Sequence, residues 1–334
     1  MTEDIAKKLK EEFPESPDAE CFRFADAAHS ALQFSRKRNK EHLMLGAATQ
    51  QLEGYHDWRS CYGIDFDKPE LHGDKEIWEW CVQKAMKAAD AKEDAKRQLE
   101  EAHRAAQKAA EEEPTKVDYD SHIDEAMGEA EKENDGGDEI SEANEEEPPP
   151  IDDEDEKSIP LLPQIIFQRK DPSTGNVICN TNGKKIFHVL AGRIDRFAAS
   201  NETWALAISL YLDCHFDRDS KEKLCLLIDA RAGKGWKNPK FVMVIPLTRT
   251  IINTVSAIHP GRWESLVIFP LPRALLGVWR TVKGYFHPET ASVMHLISGP
   301  SNLGSPLPKN DLEAFVSSDT LDFLEKCREE LCEE

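Results

Sequence analysis

Four groups of residues have types that could carry chemistry, and their spacing decides what each can do. Asp229 closes the apolar run Leu224-Cys-Leu-Leu-Ile-Asp229. Ligands bind at such strand ends in open α/β sheets. No second acid or nucleophile stands near it in sequence, so Asp229 reads as a carboxylate that caps the following loop. His259, His287 and His295 fall in one region but not at i, i+4 ligand spacing, and they read as core or surface histidines. Gly233-Lys-Gly-Trp-Lys237 lacks the Gly-x4-Gly-Lys-Ser/Thr spacing of a phosphate cradle and reads as a loop after a strand. The eight cysteines form no Cys-x-x-Cys pair and have no histidine partners at zinc spacing, so they read as reduced thiols. There is no Gly-x-Ser-x-Gly elbow. These patterns predict no catalysis, no cofactor and no metal.

What remains is apolar surface. Leu275, Leu276, Trp279 and Val282 recur at intervals of three or four, which puts them on one face of a helix expected over Pro272–Phe286. A stripe of this kind packs a core or lines a cleft, and periodicity leaves both open. Lys234, Lys237, Lys240 and Arg249 form a basic patch. It reads as solvated surface, with anionic lipid or the chain's own acidic segment as the functional alternatives.

The elements that must position these residues divide the 334 residues into four parts. Residues 1–72 read as a small helical unit, with Ile5, Leu9 and Phe13 at helical spacing and an amphipathic stretch from His42 to Trp58. Residues 73–113 are rich in Ala, Glu, Lys and Gln and read as one long solvated helix. Its apolar first turns, together with Trp78, Trp80 and Trp58, are expected to pack against the helical unit. Glu93 with Arg97, and Glu100 with Arg104, are spaced for ion pairs. Residues 114–160 read as a disordered acidic linker, or a segment that binds a protein partner. Residues 161–334 alternate short β-rich runs with helical patterns, which argues for an α/β sheet with crossover helices. Strands are expected at Lys185–Ala191, Leu224–Asp229, Trp263–Phe269 and Ser292–Ser298. Thr203–Cys214 and Pro239–Ile258 are expected to be helical, the latter kinked at Pro246.

Charge narrows the function classes. The formal net charge is −21. Residues 111–160 hold 22 acidic and 3 basic residues, so the rest of the chain is close to neutral. A nucleic-acid partner is therefore not expected, because it would need clustered cations. Uncharged apolar runs such as Trp204–Leu212 fall far short of the ~20 residues that span a bilayer. With no apolar stretch at Met1–Lys10 to act as a leader, a cytoplasmic location is expected.

The order of pieces in the second half resembles the CRAL-TRIO lipid-binding family, the phosphatidylinositol-transfer-like proteins. The similar pieces are Gly183-Lys-Lys-Ile-Phe-His-Val, Arg193-Ile-Asp195, Leu224–Asp229 followed by Gly233, and Ile258-His259-Pro260 with Arg262. They continue with Ile268-Phe269-Pro270 through Trp279 and Val282-Lys283, and end with His287-Pro288-Glu289-Thr290. Phe22-Arg23-Phe24 and Trp58-Arg59 resemble the family's N-terminal helical lobe. The resemblance implies a sheet forming the floor of a lipid cleft and an amphipathic gate helix, here Pro272–Phe286. The residues it points to are Leu275, Leu276, Trp279, Val282 and Phe286 on the gate, Ile228, Val267 and Phe269 on the floor, and Thr290 beside the head group. It implies a phospholipid-like ligand moved between membranes after transient contact with their surface. Gly261 and Val293 stand where phosphatidylinositol-binding relatives carry Glu and Lys, which argues against ordinary phosphoinositide recognition. The alternative of a different class is a protein-interaction module with a vestigial pocket, working through the acidic segment.

Overall fold

The computed structural model describes residues 1–32, 40–64, 73–112, 162–273, 275, 277 and 288–333, without the side chains of 106–112, 241, 242, 288 and 289. The expected disordered linker and most of the expected gate helix lie outside the described residues. The chain divides into two compact units, Met1–Ala91 with Ile159–Glu334, and Lys92–Ser158.

The larger unit begins with three helices, α1 (Thr2–Glu12), α2 (Asp18–Leu32) and α3 (Lys40–Cys61). Ile5, Leu9, Phe24, Met44 and Leu52 close on one another with almost no exposure. Helix α4 (Asp74–Glu112) starts in this unit. Its Trp78, Cys81, Val82 and Ala85 recur at three- and four-residue steps and are fully buried. Trp78 shares a cluster with Ile64 of the helical unit, against which Trp58 and Tyr62 also pack, and it reaches further. It packs on Trp204 and Tyr211 at ring distances of 6.2 and 6.0 Å and donates to the Leu162 carbonyl at 2.9 Å, so it belongs to the core of the sheet domain. Trp58 stacks on Tyr55 of the helical unit and stands edge-on to His259 of the sheet domain.

The sheet has five strands in the order β1 (Ile166–Phe167), β2 (Ile186–Leu190), β3 (Leu224–Asp229), β4 (Trp263–Leu271) and β5 (Met294–Ser298). β1 runs antiparallel to β2, and β2 to β5 are parallel. Helix α5 (Asn201–His215) connects β2 to β3, and α6 (Phe241–Ile258) connects β3 to β4. Both crossovers step one strand in the same direction, so right-handed connections put both helices on one face. The short helices α7 (Pro288–Ser292) and α8 (Lys309–Leu312) precede the terminal α9 (Ser318–Glu333). Leu312, Leu321 and Leu324 of the last two pack on Ile186, Cys225, Leu227, Val267 and Phe269, covering the other face.

Polar contacts bind the helical unit to this domain. Arg59 and the Tyr55 hydroxyl both donate to the buried Asp213 carboxylate. Arg218 grips Glu20 with two hydrogen bonds of 2.8 Å. Burial alone would raise the Glu20 carboxyl, but Arg218 outweighs it and holds the pKa below the ordinary value. Burial pushes His259 down to about 4, so it sits neutral beside Asp213.

The second unit is helical over its described residues. Arg97 pairs with Asp94 at 2.8 Å and Lys96 with Glu100 at 3.9 Å, on an exposed surface. The expected Glu93–Arg97 pairing is replaced by the shorter-spaced Asp94.

Candidate functional site

The two faces of the central strand are not equally filled. Along β3, Cys225 and Leu227 are fully buried, while Leu226 and Ile228 on the opposite face are only half-buried. A central strand covered on both sides should bury both sets. The difference is a cavity of about 680 Å³ between the sheet and α6. Leu226, Ile228, Leu266 and Ile268 form its floor, and Ile208 and Leu212 of α5 close one flank. The facing wall is a stripe of α6: Val244, Thr248, Ile251, Ile252 and Val255. Their spacing of three and four keeps them on one side of the helix.

Of the nine residues expected at the site, the structure brings Ile228, Leu275 and Thr290 to the cavity. Val267 and Phe269 must be corrected. Register pairs Ile228 with Ile268 and Asp229 with Phe269, so alternation turns Val267 and Phe269 to the α9 face, where both are buried. Leu276, Trp279, Val282 and Phe286 lie outside the described residues. The α6 stripe was not expected at all, although its signal was present in the sequence as five apolar or hydroxyl residues at helical spacing with no charge among them.

Thr248 apart, the polar groups of the lining lie near the two ends of the cavity. At the ends where the parallel strands finish, the lining includes Asn238, Lys240, Ser301 and Asn302. Lys240 is exposed and is the one ionic side chain among the described lining residues. At the opposite end Thr290 is 7 % exposed and also lines the cavity. Gly261, with φ of 69°, stands just before β4, in a backbone conformation that suits glycine. Val293 is partly buried with Leu266 and Met294.

The rim after β3 is rigidly built. The Asp229 carboxylate accepts from the Arg231 amide at 2.9 Å, the loop cap expected of it, and pairs with the Arg231 guanidinium at 2.6 Å. Glu325 of α9 takes the other edge of that guanidinium, and Arg328 reaches the Ala232 carbonyl at 2.7 Å. Burial works against the Arg231 charge, yet the hydrogen bonds to Asp229 and Glu325 outweigh it and keep the pKa above the ordinary arginine value. Burial and the nearby guanidinium groups of Arg169 and Arg231 push His188 down to about 3. Gly233 is obligatory, since a Cβ there would lie 2.2 Å from the Trp236 ring. Asn238, at φ of 48°, clasps the loop by accepting from the Gly233 amide at 2.9 Å and donating to its carbonyl at 2.8 Å. The segment read as a plain loop is therefore held in place between the lining residues Ala232 and Asn238.

No group of His, Cys, Asp or Glu among the described residues is arranged to hold a metal ion. Among the same residues no helix is long and apolar enough to cross a membrane. Residues 178–317 match the family model described as CRAL/TRIO domain, a stretch that begins before β2 and ends before α9. Among curated proteins no match to the chain is found.

Proposed function

We propose, from the CRAL/TRIO domain that residues 178–317 form, that the chain binds a lipophilic ligand and carries one phospholipid-like molecule between membranes. The observation that supports this reading is the size and character of the cavity. Apolar clefts of about 300–1,000 Å³ are the usual size of small hydrophobic-ligand sites, and this one holds about 680 Å³. Its lining of Leu, Ile and Val suits acyl chains, each buried CH₂ contributing about 0.8 kcal/mol.

The head group belongs at the end marked by Lys240, because a phosphate needs a cation or several N–H donors. The chains run toward Thr290. No described residues form a convergent set of nucleophile, base and oxyanion donors at the cavity, so binding without chemistry is the reading adopted. The closed-pocket alternative, an interaction module, would call for a collapsed core, and the half-buried Leu226 and Ile228 weigh against it.

The test is transfer itself. Donor vesicles carrying a fluorescent phospholipid beside a quencher, mixed with unlabelled acceptors, should gain fluorescence at a rate proportional to protein concentration. A rate equal to the protein-free control would reject transfer.

A further inference from the structure

Five large apolar side chains stand exposed among the described residues, and three of them surround the Lys240 end of the cavity. Phe197 is 81 % exposed, Leu303 65 % and Met243 38 %. They come from three separate segments that the fold brings together. Asn238 donates its amide to the Gly192 carbonyl at 2.9 Å, Lys237 pairs with Asp195 at 3.0 Å, and the Ala232 amide reaches the Ser301 carbonyl at 2.8 Å. Leu303 and Lys240 both line the cavity itself. Phe197 is held outward by a turn in which its amide donates to the Asp195 carboxylate at 3.0 Å. Arg196 lies over its ring at 4.4 Å.

The charge around these tips is predominantly basic. Residues 195–197, 234–243, 270–273 and 299–304 carry five basic residues and one acidic residue, Asp195. Arg196, Lys234, Lys237, Lys240 and Arg273 are all exposed. The chain as a whole has a formal net charge of −21, so this is a basic island on an acidic protein. Exposed apolar tips ringed by cations fit one kind of partner, an anionic bilayer. Apolar groups enter the acyl boundary while Lys and Arg meet phosphates and carboxylates. A polypeptide that offered only carboxylates would satisfy the cations but leave Phe197 and Leu303 in water.

We propose that the strand-end rim of the cavity, with Phe197, Met243 and Leu303 at its tips and Arg196, Lys234, Lys237 and Lys240 around them, is the face that docks on anionic membranes. The inference builds on the lipid-exchange reading, since a docked rim opens the cavity directly onto the bilayer. It places the membrane contact on the rim formed by the loops after β2, β3 and β5.

The test is co-sedimentation of the full chain with phosphatidylcholine vesicles with and without phosphatidylserine, alongside lipid stoichiometry by native mass spectrometry. Wild type should bind the phosphatidylserine vesicles more tightly, and less so as salt rises. Phe197→Ser with Met243→Ser should weaken that binding by roughly tenfold or more, from lost apolar insertion. Arg196→Glu with Lys234→Glu should weaken it more than tenfold, at about fivefold per charge removed. None of these four residues lines the cavity, so bound lipid should stay at wild-type stoichiometry. Equal vesicle binding by wild type and both variants overturns the proposal. So does a wild type that ignores the vesicles, whether because residues 114–160 or another protein covers the rim. An empty cavity with docking intact instead sinks the lipid reading and leaves the docking face standing.

Discussion

Leu227 and Ile228 are neighbours in β3, yet truncating them should have different consequences. Leu227 is fully buried against α9, whereas Ile228 borders the cavity. Leu227→Ala should cost about 2–5 kcal/mol in urea unfolding of the lipid-free protein. Ile228→Ala should cost less than half as much, because it enlarges a void that already exists. Equal losses would mean that the cavity is packed shut in solution. The two polar ends separate in the same way. Lys240→Glu should reduce retention of an anionic phospholipid at least severalfold in a vesicle-exchange assay, while Thr290→Val should leave it nearly unchanged. The reverse order would place the head group at Thr290. Sequence resemblance pointed to Ile228, Leu275 and Thr290. It could not separate Ile268 from Val267 and Phe269, because a strand's inward face depends on its register with β3, and a slip of one residue exchanges the faces.

At the scale of elements, α6 and the rim loop show what a single sequence hides. The bounds of β3 could be read from its apolar run, and those of α5 to within two residues. The wall stripe of α6 escaped because Val, Ile and Leu also occupy other sides of that helix, and Pro246 drew attention to its backbone. The clasp of Asn238 on Gly233 depends on a left-handed residue that no periodicity reports. Nor does sequence show that α9 reaches back to Arg231. Arg231→Met leaves Asp229 buried without its main partner, and should destabilise the protein by about 3–5 kcal/mol in chemical denaturation. A loss below about 1 kcal/mol would show that the network bears little of the fold.

The buried histidines tie elements to pH. His188 of β2 and His259 after α6 titrate near 3 and near 4, below the ordinary 6.5. As pH falls below 6.5 the unfolded chain binds protons that the folded chain refuses, so stability declines toward pH 4. Glu20, held below its ordinary 4.5, adds its own loss only at lower pH. The slope between pH 6.5 and 4.5 should therefore flatten in a His188→Gln, His259→Gln variant. An unchanged slope in urea midpoints across that window would contradict the neutral burial of both rings.

At the scale of the whole molecule, the fold separates its polar and apolar resources. The α9 face of the sheet carries the paired charges Asp229, Arg231, Glu325 and Arg328, each hydrogen-bonded within the domain. The α6 face carries a cavity of about 680 Å³ with almost no charge. Parallel strands give both arrangements from one alternating sequence, since each residue step changes the face. The long acidic stretch was legible as composition, and the four-part division rests on that shift. How the strands align could not be read without the fold, because pairing is a long-range choice.

The central claim is that this cavity is occupied. Native mass spectrometry of the purified full chain, followed by solvent extraction and lipid mass spectrometry, tests it most directly. Close to one lipid molecule per chain is expected, lost together with the added mass when an Ile228→Glu variant puts a charge into the cavity. A wild-type chain at its bare sequence mass, still bare after incubation with mixed-lipid vesicles, would contradict it.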